Sequence, residues 1–193
     1  MAGGSKLREI GIGNEKAISA LVQLLETSQD KGTRRQAARS LGNIGTGNEK
    51  AISALVQLLE TSQDNDTRRQ AAESLGEIGI GNEKAISALV QLLETSQDND
   101  TRRQAAESLG KIGIGNEKAI SALVQLLETF PDNDTRRQAA ESLGEIGIGN
   151  EKAISALVQL LKTSQDDDTL RQAAESLGKI GIGNENALKR STH

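Results

Sequence analysis

Three acidic triplets place carboxylate and amide oxygens close together, a combination that could ligate a divalent cation. They are Asp64-Asn65-Asp66, Asp98-Asn99-Asp100 and Asp132-Asn133-Asp134. Calcium loops of the EF-hand type also need a glycine at their sharp turn and a distal glutamate that binds through both oxygens. Both are missing here. We therefore interpret the triplets as turn and helix-capping segments, and we predict no metal site.

Other residues with chemical potential do not form a site either. Gly79-Ile80-Gly81 has the glycine spacing of a phosphate loop, but no strand precedes it and no Lys-Ser/Thr pair follows it. The only histidine, His193, is terminal and has no partner. Because no set of nucleophile, base and orienting group can be assembled, we expect neither catalysis nor a cofactor.

The dominant feature of the sequence is a repeat of 34 residues. The segment GNEKAISALVQLLETSQDNDTRRQAAESLGEIGI, residues 47–80, recurs almost unchanged without insertion or deletion. The full copies are residues 13–46, 47–80, 81–114, 115–148 and 149–182, with a partial copy at residues 7–12 and a truncated copy with a tail at residues 183–193. A fixed period of this length indicates an array of stacked units, so residues 1–193 are predicted to form one elongated domain.

Each unit carries two segments with helical periodicity. In the second unit, apolar residues between positions 49 and 60 share one broad face, and Asn48 is placed to cap this first helix. A second helix is predicted from about residue 67 to residue 78, with Asp66 as its cap. Gly79 is expected to end it in a left-handed conformation. The unit is therefore a helix pair.

A single helix pair is too poor in apolar residues to fold alone. About seven large aliphatic side chains, each worth roughly 1.5 to 3 kcal/mol when buried, face an ordering entropy of about 1.5 kcal/mol per residue. Stacked neighbours must supply the missing interior. Gly76 lies inside the second helix at a cost of about 1 kcal/mol relative to Ala, which indicates close approach of a neighbouring backbone.

Composition and charge restrict the kinds of molecule that this chain is expected to bind. The net charge of −4 disfavours nucleic acid and anionic membranes, which require a basic surface. The chain has no cysteine, no signal-peptide pattern and no apolar run of about 18 residues. We therefore expect a cytoplasmic protein without disulfides or a membrane span.

The string TRRQAAESLGEIG, following LVQLLETSQDND, resembles the HEAT repeat, especially the short bacterial form found in phycobilisome bilin lyases. The resemblance covers nearly the whole chain. It implies a right-handed, all-α solenoid in which first helices line the convex face and second helices line the concave face, where partners usually bind. It also implies that the arginines at one position pair with turn acids of their own or the adjoining repeat. These are Arg34, Arg68, Arg102 and Arg136, with Leu170 in the fifth unit.

Helical projection assigns several columns to the outward side of the second helix. We take as the candidate protein-binding face Arg35, Arg69, Glu73, Arg103, Glu107, Arg137, Glu141 and Arg171. A further column alternates in charge and reads Asn43, Glu77, Lys111, Glu145 and Lys179. It is interpreted as a stabilising charge ladder or, alternatively, as a groove for a charged peptide. Phe130 is a candidate binding anchor, with packing on an adjacent turn as the favoured alternative.

The function expected from the sequence is a non-catalytic scaffold that binds a protein or peptide through the second-helix face. One alternative, which rests on the resemblance alone, is a bilin lyase subunit or lyase-like chaperone. Another is an idealised or engineered array with no selected partner. Because no polar capping repeat is evident at either end, we expect either a longer array or end-to-end association between copies.

Overall fold

The computed structural model describes residues 15–191 of the chain. Within this range the secondary structure consists of helices, with no strand, which confirms the all-α prediction. The partial repeat predicted at residues 7–12 and the terminal His193 lie outside the described residues.

The helices form five pairs, one pair in each unit. The first helices are α1 (Glu15–Thr27), α3 (Glu49–Thr61), α5 (Glu83–Thr95), α7 (Glu117–Thr129) and α9 (Glu151–Thr163). The second helices are α2 (Lys31–Ile44), α4 (Asn65–Ile78), α6 (Asn99–Ile112), α8 (Asn133–Ile146) and α10 (Asp167–Ser191). None of these helices combines the length and apolar character that a bilayer crossing requires.

Side-chain caps set the beginning of both helices. Asn48 caps α3 as predicted, because its amide oxygen accepts hydrogen bonds from two first-turn backbone amides. The prediction that Asp66 caps α4 is wrong. Asp64 is the cap, and it accepts from the backbone N–H of Thr67 at 3.0 Å and from the Thr67 hydroxyl at 2.6 Å. An N-cap carboxylate accepts from the third helical amide, so α4 begins at Asn65.

The turn between repeats depends on two glycines for different reasons. Gly81 has a φ of +69°, and its N–H donates to the carbonyl of Ile112, at the end of the second helix of its own unit, at 3.0 Å. The expectation of a left-handed Gly79 is wrong, since its φ is −98°. A Cβ on Gly79 would lie 2.9 Å from the Ala85 Cβ. Gly79 is therefore required by the close approach of the following helix.

The last second helix does not end at the position equivalent to Gly79. Helix α10 continues through Gly181 to Ser191. An added Cβ at Gly181 would meet no atom within 4 Å, whereas at Gly147 it would lie 2.7 Å from the Ala153 Cβ of the next repeat. The glycine pattern therefore ends a helix only where a following repeat packs against it.

The core is a continuous aliphatic layer between the first and second helices. Adjoining second helices lie in closer contact than adjoining first helices do, which places the second helices on the concave side. A Cβ at Gly76 would lie 2.9 Å from the Ser108 Cβ and 3.1 Å from its Cα. This confirms the close approach predicted for Gly76.

Neighbouring repeats complete the interior of each helix pair. Val90 in the third unit is 5% exposed, whereas Val158, at the same position in the fifth unit, is 36% exposed. Leu93 and Leu161 show the same contrast, with 3% and 38% exposure. An internal pair is thus covered by its neighbour, as the stacking argument requires.

Candidate functional site

The concave face carries four rows of side chains, ordered along each second helix from its N-terminus to its C-terminus. An arginine–aspartate ladder comes first, comprising Arg35, Asp66, Arg69, Asp100, Arg103, Asp134, Arg137, Asp168 and Arg171. A glutamate row follows, with Glu73, Glu107, Glu141 and Glu175. A mixed row holds Asn43, Glu77, Lys111, Glu145 and Lys179. An isoleucine row of Ile80, Ile114 and Ile148 completes the series.

The ladder links successive repeats through forked arginines. The guanidinium of Arg69 contacts Asp66, three residues earlier, at 2.6 Å and reaches Asp100 of the next unit at 3.7 Å. Arg103 repeats this geometry with Asp100 and with Asp134, the latter at 3.2 Å. Gly32 replaces the aspartate in the first unit, and among the ion pairs of the described residues Arg35 contacts Asp66, at 3.1 Å. A ligand that binds these arginines must compete with the ladder.

Sequence reasoning placed the arginines on this face but missed their acidic partners. The signal was present, since Asp66 precedes Arg69 by one helical turn, a spacing at which side chains meet. Assigning Asp66 as the helix cap concealed it. The ladder is exposed, with the Arg103 side chain at 37% and that of Asp100 at 54%, so each pair contributes about 0.2 to 1 kcal/mol.

The mixed row forms ion pairs between adjacent repeats, joining unit two to unit three and unit four to unit five. Lys111 contacts Glu77 of the preceding unit at 3.0 Å and Glu107 of its own helix at 3.1 Å. Burial opposes charging of Lys111, but its hydrogen bonds to these two glutamates prevail and raise its pKa. Lys179 pairs in the same way with Glu145, and that hydrogen bond raises its pKa. The predicted reach across repeats is thus confirmed.

The pairing of the mixed row leaves a groove between α6 and α8. Lys111 turns towards Glu77, so no ion pair joins Lys111 to Glu145 within the described chain. The open space there has a volume of about 400 Å³. Its lining includes Glu107, Lys111, Ile114, Glu141, Ser142 and Glu145. The groove therefore combines an apolar wall with a surplus of carboxylates.

The isoleucine row is a surface feature that sequence reasoning missed. Ile80, Ile114 and Ile148 are 69%, 71% and 51% exposed. Each lies in the turn between repeats, outside the helical periodicity from which apolar faces are usually read. The sequence signal for this row was an aliphatic residue enclosed by two glycines between two helical segments.

A second groove, of about 430 Å³, lies along the ladder and is lined by residues including Arg69, Asp100, Arg103, Glu107, Asp134 and Arg137. Its walls are predominantly charged. Of the predicted face residues, Arg69, Arg103, Arg137, Glu107 and Glu141 line one or both concave grooves. Arg35 and Arg171 lie in the end repeats on the same ladder.

Arg102 and Phe130 form a contact on the turn edge of the solenoid. The guanidinium lies 3.8 Å from the ring centroid of Phe130, a cation–π geometry. Arg102 also donates to the backbone carbonyls of Leu93, at 3.3 Å, and Ser96. Burial lowers its pKa. Phe130 thus packs on the preceding repeat, and its use as a binding anchor stays a prediction.

In the described part of the chain, the arginines of the Arg102 column form no close ion pair with the turn acids, although Asp132 and Asp98 attract the Arg102 guanidinium and oppose the lowering of its pKa by burial. The ion pairs within residues 15–191 include none from Arg34, Arg68, Arg102 or Arg136. Arg136 instead donates to the carbonyl of Leu127 at 3.2 Å. These carbonyls, near the C-termini of first helices, have no intrahelical donor, so they are the nearer acceptors.

The first aspartate of each acidic triplet caps a helix, and the last aspartate forms ion pairs in the arginine–aspartate ladder. Asp98 accepts from the backbone N–H and the hydroxyl of Thr101, while Asp100 joins the ladder. Across the part of the chain that the structure describes, no group of three or more His, Asp or Glu side chains is arranged to hold a metal ion.

The neighbours of this chain among known structures include two designed proteins. One belongs to a study titled "Computational Design of Self-Assembling Cyclic Protein Homooligomers", with 20% identity, a TM-score of 0.26, and coverage of 96% of this chain and 61% of the other. The second is a de novo designed 16-helix transmembrane nanopore, with 22% identity, a TM-score of 0.25, and coverage of 96% and 55%. The chain spans less than two thirds of either protein.

A comparison with curated protein sequences gave no significant match. The family model described as HEAT repeats, in contrast, matches residues 6–76, 52–144 and 86–178. These overlapping matches cover most of the chain, and they do not single out the bilin lyase type. Together with the stacked helix pairs, they show that the chain belongs to the HEAT repeat family.

Proposed function

We propose that this chain is a non-catalytic scaffold that binds a protein or peptide through the concave face formed by its second helices. The observation that carries the proposal is the pair of open grooves on this face, of about 400 and 430 Å³, lined by side chains that recur in register from repeat to repeat. Concave, mostly preformed surfaces with convergent polar groups are typical binding sites.

The uniformity of the surface favours binding over catalysis. An active site needs several different groups converging on one reacting atom. In units two to five each row presents the same side chain, or an alternation of two. Such a surface repeats one set of contacts at regular intervals, which suits an elongated ligand that makes many weak contacts.

The proposal can be tested by selecting binders from a random peptide library displayed on phage. The selected peptides are then measured against wild-type protein and against Arg103→Ala/Arg137→Ala, which alters the concave face. The control variant is Lys84→Ala/Lys118→Ala on the convex face, where each lysine donates to a serine of the preceding repeat, Ser53 or Ser87. Both variants remove two exposed positive charges and contacts between repeats.

We expect binding to be weakened by the concave substitutions and unchanged by the convex ones. Library peptides that respond only to the convex pair would show that the wrong face has been chosen. Failure to select any peptide would instead favour an array without a selected partner.

A further inference from the structure

The C-terminal half of the concave face joins an apolar row to an acidic one. Ile80, Ile114 and Ile148 remain at least half exposed, although burying an isoleucine is worth about 1.5 to 3 kcal/mol. Beside them, the glutamate and mixed rows hold Glu73, Glu77, Glu107, Glu141, Glu145 and Glu175 against only Lys111 and Lys179 in units two to five. A matching ligand must therefore carry both aliphatic groups and positive charge.

The spacing of the repeats restricts the shape of that ligand. Adjoining helices pack about 8 to 10 Å apart, so equivalent side chains recur along the face at about this interval. A polyproline-type peptide advances about 3.1 Å per residue and presents every third side chain on the same side, whereas the side chains of a β-strand alternate between two sides. Three residues therefore span one repeat. An α-helix, which advances about 1.5 Å per residue, would need roughly five to seven residues per repeat and would not keep one side facing the row.

The groove between α6 and α8 shows how one ligand triplet would be held. Ile114 offers its exposed side chain as the apolar wall, while Glu141 and Glu145 lie across the groove. Lys111 is held by Glu77 and Glu107, so it does not neutralise the α8 glutamates. Glu145 is already paired with Lys179, whereas Glu141 forms no ion pair within the described residues and accepts a hydrogen bond from Gln138 at 3.3 Å. A lysine or arginine of the ligand therefore has room to reach Glu141.

Resting on the proposed scaffold function, we propose that the glutamate, mixed and isoleucine rows bind an extended basic peptide with an aliphatic residue at every third position. The aliphatic residues pack on the isoleucine row, and the lysines or arginines between them meet the glutamates. Because units two to five present nearly the same contacts, affinity increases with the number of triplets until the rows are covered.

The test uses synthetic peptides whose composition is constant and whose period varies. The matched peptide contains four Ile-Lys-Ser triplets. A second peptide has the same residues in irregular order, and a third replaces lysine with glutamate. Binding is measured by fluorescence anisotropy at low and at moderate salt. We expect the matched peptide to bind most tightly, to lose affinity with salt, and to weaken by a similar factor for each triplet removed.

Protein variants identify the rows that carry binding. Ile114→Ser/Ile148→Ser is expected to weaken the matched peptide by at least about tenfold, since each isoleucine loses an apolar contact. Glu107→Gln/Glu141→Gln is expected to weaken it and to reduce its salt dependence. The matched control, Glu94→Gln/Glu128→Gln, removes two exposed carboxylates from first helices and should leave binding unchanged.

Three outcomes would overturn this proposal. The first is that the irregular peptide binds as tightly as the matched peptide. The second is that the Glu107→Gln/Glu141→Gln protein binds the matched peptide as tightly as wild type does. The third is self-association of the free chain that Ile114→Ser/Ile148→Ser abolishes, which would make a second copy the occupant. Failure here is distinct from failure of the scaffold function. Library peptides that depend on Arg103 and Arg137 but lack a three-residue basic pattern would leave the scaffold standing and refute this ligand.

Discussion

Gly110→Ala is expected to destabilise the protein, whereas the same substitution at Gly178 is expected to stabilise it. Both glycines occupy the same position in a second helix, where alanine is favoured by about 1 kcal/mol. A Cβ at Gly110 would lie 2.8 Å from the Ser142 Oγ, 2.9 Å from its Cβ and 3.1 Å from its Cα. At Gly178 it would meet no atom within 4 Å.

The expected magnitudes follow from these distances. Forcing a methyl group into a packed interface costs about 1 to 3 kcal/mol, because α6 and α8 must move apart. After the gain in helix propensity, Gly110→Ala should lower the free energy of unfolding by up to about 2 kcal/mol. Gly178→Ala should raise it by up to about 1 kcal/mol.

The two variants are compared with wild type by urea denaturation, followed by far-ultraviolet circular dichroism. Hydrogen exchange would localise the Gly110→Ala effect to α6 and α8. If both substitutions stabilise the chain equally, the close approach of second helices does not constrain this position. The assignment of those helices to the concave side would then lose its support.

Three further predictions concern the turns, the caps and the ladder. Gly115→Ala should lower the free energy of unfolding by about 1 to 2 kcal/mol and Gly115→Asn by less, because the φ of +69° favours glycine and then asparagine; denaturation midpoints check this. Hydrogen bonds from Thr67 and Lys31 lower the pKa of Asp64 to about 2, so its stabilisation is complete above about pH 4 and is lost as the pH falls through about 2. Asp64→Asn should therefore flatten the acid limb of a stability–pH curve. Arg103→Ala should lower the free energy of unfolding by less than about 1 kcal/mol, and added salt should reduce this difference from wild type, since the ion pairs of Arg103 are exposed. A large difference in unfolding free energy that persists at high salt would contradict this prediction.

Much of the fold could be predicted because the same helix, cap and glycine signals recur in successive repeats. The first helix, from residue 49 to about residue 60, and its Asn48 cap were predicted from periodicity and capping chemistry. Gly76 was predicted as a contact point because a glycine inside a helix carries a local cost that only packing can offset. The signals for these features can all be read within a single repeat.

The errors lie where an adjoining repeat decides between local alternatives. Local sequence criteria allow either Asp64 or Asp66 as the cap of α4, but Asp66 forms ion pairs with Arg69 and with Arg35 of the preceding unit. The Gly79 backbone is set by Ala85 in the following unit. The candidate site had the same difficulty, since the exposure of Ile114 could not be inferred before the turn between repeats was known.

Differences between units indicate where the proposed peptide surface begins. The first unit has Arg39, Asn43 and Thr46 at the positions of Glu73, Glu77 and Ile80. The three substitutions remove both acids and the exposed isoleucine, although they leave the buried apolar positions of α2 unchanged. A purely structural role for the rows would not require these three changes together, because exposed positions contribute little to stacking. The combined loss of charge and apolar surface fits a binding surface that extends from the second unit towards the fifth.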